Sequence, residues 1–178
     1  MTLLSWRMVP LLVFVGIIVF LLRGLSLDPT HLPSAKLNKP LPAFQLPALG
    51  DDSLQLTERH LHGQIALLNV WASWCEACKE EHLFLMQLKR EGISLFGLNY
   101  KDNPDDAQLW LKNYGNPYRR VGEDRMGNVA IDLGVYGAPE TFLIDKNGMI
   151  RHRHVGILTA TTWQNEFVPR ISQLEHLR

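Results

Sequence analysis

The chain carries only two cysteines, and two residues separate them in Cys75-Glu76-Ala77-Cys78. Before them, Ile65 to Trp71 is a short, nearly continuous apolar run, which reads as a strand buried on both faces of a sheet. After them, Glu76 to Arg90 consists of strong helix formers. Leu83, Phe84, Met86 and Leu88 are expected on its apolar face, with Lys79, Glu80, Glu81, Gln87 and Lys89 largely outside it. The pair therefore sits where a buried strand turns into a helix. The first turn of a helix offers unpaired N–H groups and the positive end of the dipole, which favour a thiolate over a thiol. Cys75 receives that stabilisation and is expected to be the nucleophile. Cys78, one helical turn on, is placed to resolve a mixed disulfide formed at Cys75.

Three other uses of the two cysteines are weaker. Buried structural thiols do not account for this spacing after this strand. Zinc could draw on His60, His62 and His82, but structural zinc sites usually carry two cysteine knuckles and here there is one. A purely structural disulfide closing so short a loop constrains the unfolded chain little. Redox chemistry is the expected use, with no metal and no cofactor beyond the cysteine pair itself.

Alternation of strands and helices continues downstream. Ile93 to Asn99 reads as a strand, and Pro104 to Tyr114 as a helix with Asn103 as N-cap and Pro104 in its first position. Arg125 to Leu133 suggests a short helix. Thr141 to Asp145, a turn at Lys146-Asn147-Gly148 and Met149 to Val155 suggest a hairpin, and Thr161 to Leu177 is helix-like apart from Pro169. The order implies an α/β fold whose mixed central sheet has helices on both faces. His152 and His154 alternate with Arg151 and Arg153, a pattern expected of solvated strand faces. No internal repeat is present. With 18 Lys and Arg against 18 Asp and Glu, the chain has no charge excess with which to attract a polyanion, so nucleic acid is not an expected partner.

The mean hydropathy of -0.06 conceals one concentrated segment. Met8 to Leu22 has no charged side chain and is flanked by Arg7 and Arg23. As a helix it is shorter than a bilayer core, so a crossing requires Leu3, Leu4 and Leu25 while both arginines snorkel. The sequence around Arg23 offers no A-x-A-like cleavage site, so an uncleaved anchor over residues 1–25 is expected. Arg7 on one side and Arg23, Lys36 and Lys39 on the other leave its orientation open. Residues 26–42, with Pro29, Pro33, Pro40 and Pro42, read as a tether, and residues 43–178 as the folded domain.

The run Asn69-Val70-Trp71-Ala72-Ser73-Trp74-Cys75-Glu76-Ala77-Cys78 resembles the active-site strand and turn of thioredoxin-fold proteins. Leu133-Gly134-Val135-Tyr136-Gly137-Ala138-Pro139-Glu140-Thr141-Phe142-Leu143-Ile144-Asp145 resembles, with higher specificity, the thiol:disulfide interchange proteins of cytochrome c maturation, the DsbE or CcmG type. Glu81-His82, Asn99-Tyr100-Lys101-Asp102 and Gly115-Asn116-Pro117-Tyr118 are similar to that family too. The resemblance implies a thioredoxin fold held by a single-pass anchor in a bacterial inner membrane, with its domain facing the periplasm. It implies a dithiol reductant that keeps the haem-attachment cysteines of apocytochrome c, or of a partner thiol protein, reduced. Electrons would come from a membrane thiol transporter of the DsbD or CcdA type. A periplasmic disulfide-forming oxidase and a non-redox anchored haem or apocytochrome chaperone are the alternatives.

By the same resemblance Pro139 is a cis proline beside the cysteine pair. The backbone of Ala138 would then be turned to pair with an extended peptide. Trp74, Glu76, Ala77, Ala138 and Glu140 are expected around the site. The chain departs from general thioredoxins in having Asn69, which cannot titrate, where they have a buried Asp. A proton carrier must then come from elsewhere, and Glu140 and Glu81 are the expected sources. The family usually has proline where this chain has Glu76. A carboxylate there would oppose the helix dipole and hold the Cys75 thiol higher, unless it points to solvent.

Overall fold

The computed structural model describes residues 3–25 and 36–176. It divides into two compact units, residues 1–33 and 34–178. In the first, a single helix α1 (Leu3–Leu25) contains Pro10 and has an arginine, Arg23, in its last turn. Leu12, Phe14, Phe20 and Leu22 are all exposed along it, as expected of a helix that is apolar all round. Its backbone extends for roughly 34 Å, while residues 8–24, the continuous stretch with described side chains, account for about 25 Å. Among the described residues no helix is long and apolar enough to cross a membrane. The side chains of Leu3, Leu4, Arg7 and Leu25, on which a crossing depends, lie outside the described ones, as do residues 26–35 of the expected tether.

The second unit is built on a seven-stranded mixed sheet. Its strands are β1 (Gln45–Ala48), β2 (Asp51–Thr57), β3 (Ala66–Trp71), β4 (Ser94–Tyr100), β5 (Arg120–Asp124), β6 (Glu140–Ile144) and β7 (Ile150–Val155). Their order is β2-β1-β5-β4-β3-β6-β7. Parallel pairing joins β3 to β4 and β4 to β5, and the remaining neighbours are antiparallel. The helices are α2 (Glu76–Arg90), α3 (Pro104–Tyr114), α4 (Asn128–Leu133) and a C-terminal run. That run comprises α5 (Ala160–Thr162), a π turn (Trp163–Phe167) and α6 (Val168–His176).

The six residues of β3 are all buried, and their alternation separates two cores. Leu67 and Trp71 join Leu85 and Leu88 of α2, Trp110 of α3 and Trp163 and Phe167 of the C-terminal run on one face. Ala66, Leu68 and Val70 join Leu46, Leu56, Phe96, Leu133 and Phe142 on the other. The expected mixed sheet with helices on both faces is therefore observed. Helix α3 also begins as expected, with the Asn103 side chain accepting a bond from the Asp105 N–H and Pro104 in the first position.

Several sequence expectations are corrected. Strands β1, β2 and β5 carry no clear strand pattern in the sequence: Pro47 interrupts the first, the second begins Asp51-Asp52, and β5 reads Arg-Val-Gly-Glu-Asp. Gly122 lies in β5 because a Cβ there would come within 3.0 Å of Leu46 and 3.1 Å of Leu56. The helix expected from Arg125 starts only at Asn128, after Gly127 in the left-handed region (φ 75°). In α2 the buried face is Cys78, Glu81, His82, Leu85 and Leu88, whereas Leu83 is 79% exposed. The expected tether ends early, since Asn38 and Leu41 donate backbone bonds to Ile150 and Gly148, and Leu41 is buried in the domain. The C-terminal helix continues past Pro169 by widening into a π turn, where the Val168 N–H reaches back to the Trp163 carbonyl. This turn stacks Trp163 on Phe167, with ring centres 5.4 Å apart.

Candidate redox site

The cysteine pair is closed as a disulfide, with Cα atoms 5.3 Å apart. Cys75 is the N-cap of α2, with extended backbone, and its Sγ accepts the Cys78 N–H at 3.1 Å. That N–H and the positive end of the helix dipole both face the Cys75 sulfur. Both cysteines are nearly buried. The turn leading into them is tied to the end of β4. The Ser73 N–H and hydroxyl donate to the two oxygens of Asp102, at 2.6 and 2.7 Å. The Asn99 amide donates to the same carboxylate at 2.8 Å, and the Trp74 indole N–H donates to the Lys101 carbonyl at 3.1 Å. Lys101 adopts a positive φ of 46°, so the strand bends sharply where it meets the turn. The anchoring role of Asp102 was not legible in advance, since its partner Ser73 is 29 residues away.

The other expected residues fall into distinct places. Trp74 is 58% exposed at the rim of the pair. Ala77 and Ala138, from α2 and the segment before β6, pack on the same apolar cluster as both cysteines. The Ala138–Pro139 peptide bond is cis, and the Pro139 carbonyl accepts the Gly156 N–H at 2.9 Å. Glu76 points to solvent, with its side chain 80% exposed and 2.9 Å from Lys79 Nζ. The expectation that it opposes the dipole at sulfur is thereby weakened in favour of the solvent-facing arrangement.

The two expected proton carriers differ. Glu140 is fully buried, but its oxygens are engaged by fixed donors. Oε2 accepts a hydrogen bond from Arg153 Nε at 2.7 Å, with Nη2 at the same distance as an ion-pair contact rather than a hydrogen bond, and Oε1 accepts the N–H groups of Tyr136 at 2.8 Å and Gly137 at 3.3 Å. A carboxylate held this way ties the backbone of 136–137 to Arg153. Arg153 is correspondingly not on a solvated face: its side chain is 4% exposed. Its neighbours on β7 are also engaged, with His152 and His154 both bonding Glu166 and Arg151 bonding Asp145.

Glu81 is different. Burial pushes its carboxyl up to about 7, against the opposing effect of bonds donated by the Leu158 N–H and the Asn69 amide, each at 2.8 Å. Asn69 in turn donates to Thr141 and accepts the Tyr118 hydroxyl at 2.7 Å. Burial and the charge of Glu81 raise the Tyr118 hydroxyl well above its ordinary value. The Asn69 position thus keeps a titrating neighbour, supplied by α2 rather than by the strand. Leu158 carries no signal in the sequence, and Tyr118, although in a stretch similar to the family, reaches Asn69 only through tertiary packing. His82, on the same face of α2, bonds the Tyr114 carbonyl at 3.1 Å and meets Trp110 edge-on at 4.3 Å, and burial lowers its basicity.

Residues 36–166 match the Redoxin family. The chain is 47% identical over 167 residues to the thiol:disulfide interchange protein DsbE of Pseudomonas aeruginosa, covering 94% of this chain and 93% of that protein. It is 46% identical over 169 residues to the protein of the same name from Escherichia coli, covering 91% of each. Among solved structures, a secreted thiol-disulfide isomerase of Corynebacterium glutamicum shares the fold, with a TM-score of 0.66 at 22% identity over 82% of this chain and 98% of that one.

Proposed function

We propose, from the premise that this chain belongs to the Redoxin family and is a thiol:disulfide interchange protein of the DsbE type, that it works as a membrane-anchored periplasmic reductant in cytochrome c maturation. The observation that carries the redox chemistry is the Cys75–Cys78 pair capping α2, with Sγ of Cys75 in the N-cap position. In the reduced protein the Cys75 thiolate attacks one sulfur of a substrate disulfide. The substrate S–S bond breaks, a mixed disulfide forms, and the departing substrate sulfur takes a proton. The Cys78 thiolate then attacks Cys75, frees the second substrate thiol and leaves the oxidised pair, so two electrons and two protons pass to the substrate. Glu81 lies one turn after Cys78 on the buried face of α2. With its carboxyl near 7 it is suited to hold and release the proton of the resolving step.

The substrate is the paired haem-attachment cysteines of apocytochrome c, or a thiol protein acting on them. The spent disulfide is reduced again by a membrane thiol transporter of the DsbD or CcdA type, and no cofactor beyond the cysteine pair is needed. Helix α1 serves as the single-pass anchor in the inner membrane. Support for this reading comes from the apolar run between Arg7 and Arg23 and from the similarity to DsbE proteins. The test is a cell whose only copy carries Cys75→Ala. Haem-stained c-type cytochromes should be lost and partly restored by added dithiothreitol. Undiminished cytochrome c would overturn the role. Fractionation of the same cells should place the protein in the membrane pellet, digestible by protease added to spheroplasts.

A further inference from the structure

Arg153 has no part in the thiol chemistry above, yet three groups hold its buried guanidinium. Nε and Nη2 each lie 2.7 Å from Glu140 Oε2. Its Cζ stands 4.7 Å from the centre of the Tyr136 ring and 5.6 Å from that of Phe142. Phe142 is fully buried, whereas Tyr136 is 63% exposed. Through its other oxygen, Glu140 holds the backbone N–H groups of Tyr136 and Gly137. One cation on β7 therefore fixes the segment 136–139 twice, by its backbone through Glu140 and by its ring through Tyr136. The end of the same strand adds a third tie, from the Gly156 N–H to the Pro139 carbonyl.

Within that segment, Ala138 packs on the apolar cluster that holds the reacting sulfurs of Cys75 and Cys78. Among the described residues, neither its N–H nor its C=O takes part in a backbone hydrogen bond. A buried ion pair contributes little net stability over apolar residues of similar volume, because both charges lose their hydration. What this pair supplies is geometry, since the Nε hydrogen bond to Glu140 and the stacking of the planar guanidinium on Tyr136 and Phe142 hold the segment from two sides.

We infer that Arg153 is a positioning residue for polypeptide substrates. Through Glu140 and Tyr136 it sets where Ala138 presents its free N–H and C=O to an extended chain beside the disulfide, and it holds the exposed Tyr136 ring against that chain. A small disulfide without a peptide backbone needs only the sulfur and is indifferent to this arrangement. The inference rests on the interchange activity alone and is independent of which protein is the physiological substrate.

The test uses the full-length protein in detergent, reduced, with Arg153→Met, Arg153→Lys and Tyr136→Ala variants. Each is assayed by Trp fluorescence against a short peptide closed by its own disulfide and against bis(2-hydroxyethyl) disulfide. Arg153→Met should lose about tenfold in kcat/KM on the peptide, chiefly through KM, and stay within about twofold on the small disulfide. Its equilibrium with dithiothreitol should not move. Arg153→Lys, which keeps the charge but not the planar guanidinium, should fall between, and Tyr136→Ala should reproduce part of the loss. Equal losses on both disulfides, or wild-type peptide kinetics, would overturn the inference. Should Arg153→Met fail to fold, wild-type peptide KM in both remaining variants would overturn it equally.

Discussion

Replacing Glu81 by glutamine removes a carboxyl that burial pushes from 4.5 up to about 7. The unfolded chain gives up this proton first as pH rises, so the folded state binds more protons between the two values and wild-type stability falls across that window. At about 1.36 kcal/mol per pH unit the displacement is worth roughly 3 kcal/mol, fully expressed above pH 7 and absent below pH 4.5. Glutamine carries no such penalty, and the surrounding network can accept it. If the Asn69 amide turns over, its oxygen takes an N–H of the introduced glutamine and its nitrogen faces the Tyr118 hydroxyl, which can accept as well as donate. Thr141 can then donate where it now accepts. The assay is urea unfolding of the oxidised full-length protein in detergent at pH 4.5 and pH 8, comparing variant with wild type so that every other titrating group cancels. The variant should be more stable by up to about 3 kcal/mol at pH 8 and lose that advantage at pH 4.5. A difference independent of pH would refute the claim that Glu81 is a buried carboxyl that titrates near neutrality.

Other expectations are more local. Burial raises the Asp145 carboxyl, but bonds from the Met149 N–H, the Arg151 guanidinium and the Asn147 N–H outweigh it and leave it below its ordinary 3.8. Asp145→Asn should therefore cost about 1–3 kcal/mol at pH 7, in urea midpoints, with the deficit shrinking as pH falls below 3.8 and the wild-type group protonates. Gly97→Ala should cost about 1–3 kcal/mol in the same assay, without change of slope. Its Cβ would sit 2.9 Å from the Trp71 indole nitrogen and 3.0 Å from the Tyr118 ring. Cys78→Ser should stop the reaction at the mixed disulfide, so that intact-mass measurement finds substrate linked to Cys75. Free substrate thiol released at the wild-type rate would contradict the resolving role.

Much of the site was legible because its signals are local. A buried apolar run, two cysteines and a run of helix formers lie within one stretch of chain, and Asn103-Pro104 marks a helix start by its own chemistry. The residues that lock the site were not legible, because each acts through a partner distant in sequence. Arg153 in an Arg-His alternation reads as a solvated strand face until the β6–β7 register places it opposite Phe142, with Glu140 two residues away on the same strand. Glu81 is legible as a candidate proton source through the family resemblance, but standing among Lys79, Glu80 and His82 it reads as outside the apolar face, and only the packing of α2 shows that its carboxylate turns inward. Strands β1 and β5 are short, and β1, β2 and β5 carry Pro47, Asp51 and Gly122, residues that disfavour strands locally and are tolerated here by their neighbours.

The central claim is that the Cys75–Cys78 pair is a reductant. It is tested most directly by the equilibrium redox potential of the full-length protein, titrated in detergent against a dithiol buffer and read by Trp fluorescence. A value of about -200 mV or below is expected of a dithiol that must be charged by a dedicated electron donor. A value near about -120 mV would contradict it and make the protein an oxidant of its partners.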